Sequence, residues 1–125
     1  EGLWWAEDME QFSVARKGDW KWTMMIAVPE IVTAAMAAEV LPEVTRQKEL
    51  AAGERVRFEI YDEGESAQIM HMGPYAAEAP TIEQLHAFIG AEGLSRRGLH
   101  HEIYLSDPRK ADPAKLRTII RQPVG

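Results

Sequence analysis

The chain has 125 residues, 46% of them apolar and 27% charged, the balance of an ordinary globular domain with one core. A formal charge of −6 argues against nucleic acid as a partner, because phosphate binding wants a basic surface, and leaves small neutral or cationic ligands open. With no cysteine there can be no disulfide, thiol nucleophile or cysteine-ligated zinc, and no apolar run is long enough to span a bilayer. These features lead us to expect one domain over residues 1–125, a cytoplasmic setting, no membrane partner and no cofactor.

Gly2 to Ala6 reads as a short buried strand, with Trp4 and Trp5 on opposite sides. All four tryptophans lie in the first 22 residues. A chain that opens on Leu3-Trp4-Trp5 needs that segment covered, by a preceding region or by a second chain, and an unpaired strand there would favour a homodimer. Glu7 to Asp19 is polar and reads as a loop with a turn of helix. Lys21 to Val28 is a second strand, with Trp22, Met24, Ile26 and Val28 on one face and Thr23, Met25 and Ala27 on the other. Apolar residues on both faces predict a central strand covered on both sides. Pro29 suits the first turn of a helix, and Ile31, Ala34, Ala35 and Ala38 carry its spacing. Pro42 predicts a kink or a fresh start before the element ends at Arg46-Gln47-Lys48 and exits through Ala52-Gly53.

Arg55 to Tyr61 alternates, with Val56, Phe58 and Ile60 inward, and predicts a hairpin with Ala67 to Met72. The intervening Asp62-Glu63-Gly64-Glu65 would be its solvated tip. Gly73-Pro74 marks a sharp exit, which a side-chain hydrogen bond from His71 would fix. Met70 and Met72 read as gap-filling core. Thr81 and Gln84 match a capping box, followed by an apolar stripe at Ile82, Leu85, Phe88 and Ile89 and a glycine stop at Gly93. Asp112-Pro113 is a second cap, and Arg117 to Arg121 a last strand. The order predicts an α+β fold: a mainly antiparallel sheet with helices on one face and, if the other face is concave, a ligand on that other face.

His100 to Ser106 is the stretch with chemical content. As a strand it places His100, Glu102 and Tyr104 on one side and Ile103 and Leu105 on the other, before Asp107-Pro108 ends it. A carboxylate beside a phenol can be an acid–base pair on the floor of a cleft, or the polar side of an ordinary half-exposed strand. Local pattern leaves both open. His100 and His101 face opposite ways and cannot easily share a metal ion, so no metal site is expected.

Several of these segments carry a resemblance. Leu3-Trp4-Trp5, Trp20-Lys21-Trp22-Thr23-Met24-Met25-Ile26, Gln68 to Tyr75, Leu85 to Ile89, His100 to Pro108 and Arg117 to Val124 together resemble the GyrI-like small-molecule-binding proteins. The branch resembled is the stand-alone one, some of whose members hydrolyse cyclopropane-bearing DNA-alkylating toxins. The resemblance implies a duplicated β-α-β-β module with a ligand cleft between the halves, and a further N-terminal portion of the first module before Leu3. It also implies Glu102 in the pocket. On that reading Glu102 is the general base that activates water, with Tyr104 as its hydrogen-bonding partner. Trp4 or Trp5, Trp22, Met25, His71 and Tyr75 are the candidates to contact an aromatic ligand. The alternative is a non-catalytic module in which Glu102 is the counter-charge of an aromatic cation.

Overall fold

The computed structural model describes residues 1–7 and 14–125. The loop expected between Glu7 and Asp19 lies partly outside the described residues; its end is a 3-10 turn at Val14–Asp19. Two compact units result, one formed by Glu1–Ile26 with Glu63–Gly125 and the other by Ala27–Asp62.

The larger unit is a five-stranded antiparallel sheet. Its strands are β1 (Gly2–Trp5), β2 (Lys21–Met24), β3 (Ser66–Met72), β4 (His100–Tyr104) and β5 (Arg117–Pro123), in the order β2-β1-β4-β5-β3. β1 is therefore not an unpaired strand awaiting a second chain. It lies between β2 and β4, and Leu3 is buried. β2 is shorter than expected and sits at an edge, not in the centre, with Trp22 59% and Met24 49% exposed. At the other edge Met70 and Met72 are exposed and do not fill a core.

One helix, Ala79–Ala91, belongs to this unit. It starts before the expected cap: Glu78 is the N-cap, and Pro80 stands in the first turn, where a missing N–H costs no hydrogen bond. Thr81 is thus inside the helix, and its hydroxyl is taken by His71 Nδ1 at 3.0 Å. The helix stops where Gly93 turns left-handed at φ 72°, letting Leu94 N donate back to Ile89 O at 3.1 Å. Ile82, Leu85 and Ile89 pack with Ile120 and Val124 to make the core, and Phe88, the fourth member of the expected stripe, is left exposed. Each of those three helix side chains contributes about 1.5–3 kcal/mol by leaving water.

The second unit holds the helix Ala34–Gln47, so the two helices in chain order are α1 (Ala34–Gln47) and α2 (Ala79–Ala91). Thr33 caps α1 by accepting from Met36 N, so Pro29 lies ahead of the helix, and Pro42 is carried inside one continuous element. Arg55 to Tyr61 forms no ladder despite its alternation, so the expected hairpin is absent and β3 pairs with β5. In the acidic turn after it Asp62, Gly64 and Glu65 are exposed, but Glu63 is drawn inward. Glu63 accepts from Arg121 Nη1 at 2.7 Å and meets His101 Nδ1 at 3.0 Å, with its side chain only 10% exposed.

Candidate functional site

The register of the sheet decides which side chains meet. Glu102 stands opposite Gly2 on β1 and Ile120 on β5; His100 stands opposite Trp4, and Tyr104 opposite Thr118. Facing residues of an antiparallel ladder share a side of the sheet. His100, Glu102 and Tyr104 therefore lie on the side of Ile120, the side that α2 packs against. A ligand was expected on the face opposite the helix, but the candidate carboxylate does not lie there. The carboxylate lies on the helix-bearing face, on a strand next to those that α2 covers.

These three side chains are not the wet side of a half-exposed strand. His100 and Glu102 are buried, and Tyr104 half-buried. The Tyr104 hydroxyl donates to Glu102 Oε2 at 2.8 Å and accepts from Trp4 Nε1 at 3.0 Å, while His100 Nε2 lies 3.1 Å from Glu102 Oε1. A row of polar groups thus runs from β1 through β4. Burial first, then the negative charge of Glu102, pushes the Tyr104 phenol far above its ordinary range. It stays a neutral donor and cannot act as a base at any physiological pH.

Aromatic rings surround this row. Tyr75, in the short 3-10 turn after β3, meets Tyr104 edge-on with centroids 5.6 Å apart. Burial, then the charges of Glu78 and Glu102, raise its phenol as well. Trp20 lies 5.9 Å from Trp4 and 6.2 Å from His100. Trp22 is opposite Trp4 on the same face, and Met24 opposite Gly2.

Among the residues singled out from the sequence, Trp4, Trp22, Tyr75, Glu102 and Tyr104 come together. Trp5 does not, because alternation turns it to the other side of the sheet from its neighbour Trp4, and Met25 lies just past the end of β2. His71 shares the face but is engaged structurally, with Nε2 at 3.2 Å from Pro74 O and Nδ1 on Thr81. His100, Trp20 and Glu78 were not among the candidate catalytic or ligand-binding residues. Only the spacing of His100 from Glu102 held a signal, since two residues on a strand share a face. Among the described residues no cluster of three or more histidine, aspartate or glutamate side chains could hold a metal ion.

A separate cavity of about 380 Å³ lies beside the last turn of α2, bounded by His86, Ile89, Leu94, Arg96 and Gln122. His86 Nδ1 accepts from Arg96 Nη1 at 3.1 Å. Burial, then the Arg96 charge, lowers the imidazole to about 4.

An antiparallel α+β sheet carrying a buried carboxylate among aromatic rings has the make-up of a domain that takes up small organic molecules. The chain belongs to the GyrI-like family: the model of the GyrI-like small molecule binding domain matches residues 1–124. None of the curated proteins compared with the sequence matches it. Three solved structures from Listeria innocua are similar over 99% of this chain. An uncharacterised conserved protein is 38% identical with a TM-score of 0.86, and two hydrolases are 34% and 36% identical with TM-scores of 0.78 and 0.81. The chain spans 60–62% of the length of those proteins. No helix among the described residues is long and apolar enough to cross a membrane.

Proposed function

We propose that this chain carries the site of a hydrolase that opens the cyclopropane ring of electrophilic aromatic compounds, with Glu102 as general base. The observation that carries the reading is the bonded row Trp4–Tyr104–Glu102 beside Tyr75 and the exposed Trp22. Aromatic faces suit a planar substrate, and the two Listeria hydrolases lend support to hydrolytic chemistry on this fold. In the reaction, Glu102 takes a proton from water as the water oxygen bonds to a ring carbon. A ring C–C bond breaks, and its electron pair moves to the conjugated carbonyl oxygen. Once protonated, Glu102 holds the Tyr104 hydroxyl less strongly, which frees that neutral phenol to donate to the developing oxyanion. The proton on Glu102 then passes to that oxygen, so the net change is addition of water.

A second reading has its own observation. Both oxygens of Glu102 already hold partners, which suits a fixed counter-charge for an aromatic cation stacked against Trp22 and Tyr75. In that case the chain binds and does not turn over. The deciding experiment compares the parent with Glu102→Gln on a cyclopropane-bearing aromatic toxin. Ring opening by the parent alone supports the hydrolase. Tight binding seen by tryptophan quenching, with turnover in neither, supports the binding module.

A further inference from the structure

Glu102 is held along its own strand from both directions. Tyr104, two residues on, donates to Oε2 at 2.8 Å, and His100, two residues back, meets Oε1 at 3.1 Å. An ionised carboxylate only accepts, so the imidazole donates through a proton on Nε2. His100 is 0% exposed, and its ring lies tilted against Trp20 at 6.2 Å. An apolar ring such as phenylalanine could fill that volume. What the imidazole adds is one N–H aimed at the carboxylate.

That N–H matters because the last torsion of a glutamate is soft, with a broad well and not a sharp staggered one. A single bond to one oxygen leaves the carboxylate plane free to swing about it. Two bonds to different oxygens, from groups on either side along β4, fix the plane and so the direction of the remaining lone pairs. We infer that His100 is a positioning residue for Glu102, holding the carboxylate plane in the orientation from which it takes a proton from the reacting water. The kinetic part of this inference rests on the hydrolase reading; the bond itself rests on geometry alone. His100 keeps its own proton throughout, so the reaction balances as written above, with the water proton on Glu102 and the broken C–C pair on the carbonyl oxygen.

Loss of an orienting contact costs about 10- to 100-fold in rate when the reacting groups drift by less than an ångström. His100→Phe should lower kcat by about that factor at nearly unchanged KM, and His100→Gln, whose amide can donate to Oε1, should recover about tenfold of it. Parental kcat in His100→Phe would overturn the inference, as would equal loss in both variants. A second measurement does not depend on turnover. In the parent, the His100 Nε2 proton should give a proton resonance shielded from solvent exchange, and it should move when Glu102 is replaced by glutamine. A resonance indifferent to Glu102→Gln would overturn the bond. A parent without turnover would instead sink the hydrolase reading and the kinetic role with it, while the resonance still decides whether His100 holds the carboxylate.

Discussion

The indole of Trp4 and the hydroxyl of Tyr104, a hundred residues apart, are joined by a 3.0 Å hydrogen bond that ties β1 to β4 on the face bearing Glu102. Tyr104→Phe removes this bond and the 2.8 Å one to Glu102 together. We expect a loss of about 1–3 kcal/mol, read as a lower urea midpoint at unchanged slope. The alkaline limb should change as well. The folded phenol is raised above its ordinary 10.0, so the unfolded chain ionises first. Stability is therefore full below about pH 10 and falls as pH rises beyond it, and Tyr104→Phe should flatten that fall.

Gly2 faces Glu102 across β1 and β4, and a methyl group there would stand 2.9 Å from Trp4 Nε1 and 3.0 Å from Tyr104 Oη. Met24 Cε, also at 3.0 Å, is the end of a flexible chain and can yield; the bonded indole and phenol cannot move without parting. Gly2→Ala should cost about 1–3 kcal/mol and shift the tryptophan emission, whereas an unchanged spectrum and midpoint would mean that β1 lies differently.

His86 sets an acid limb. Its folded imidazole protonates near 4, against 6.5 when unfolded, because burial and Arg96 oppose its charge. The unfolded chain thus takes up a proton that the folded one refuses, and stability is full above about pH 6.5 and declines as pH falls towards 4. The gap allows at most about 3 kcal/mol, and with the ring partly in solvent, screening brings this to about 1 kcal/mol. His86→Gln should remove that portion of the decline between pH 6.5 and 4, measured by denaturation at each pH.

Thr118 is 0% exposed, and its hydroxyl has no hydrogen-bond partner among the described residues. A buried hydroxyl without a partner is a standing cost, and valine has nearly the same shape. Thr118→Val should raise stability by up to about 1 kcal/mol. A loss of that size would mean the hydroxyl is bonded after all.

Period-two alternation was enough to place His100, Glu102 and Tyr104 on one side of β4, because a strand leaves a side chain only two directions. It could not choose between Trp4 and Trp5, a choice that depends on the register of β1 against β4. Nor does alternation reveal whether a strand finds a partner: Arg55 to Tyr61 alternates as cleanly as β4 and joins no ladder. Apolar residues on both faces of Lys21 to Val28 pointed to a central strand, but strand order is set by pairings distant in sequence, and β2 lies at an edge. Long-range partners explain two further departures. Thr81 has the local pattern of a cap, yet its hydroxyl is engaged by His71 from β3. Glu63 sits in an acidic run that reads as solvent-facing, yet it is drawn in by His101 and Arg121.

The position of β5 bears on how such a chain could reach this arrangement during synthesis. β3 has a single neighbour in the sheet, and that neighbour is β5, which also closes the ladder to β4. A growing chain that has not yet reached Arg117 can form α2, a local event, but it has nothing on which to anchor β3 or to complete the floor under α2, since Ile120 lies in β5 and Val124 just after it. Loop closure over such separations is slow, and apolar surface left waiting invites aggregation. β5 is made after both of its neighbours and has to enter between them, joining β3 to the sheet that carries Glu102.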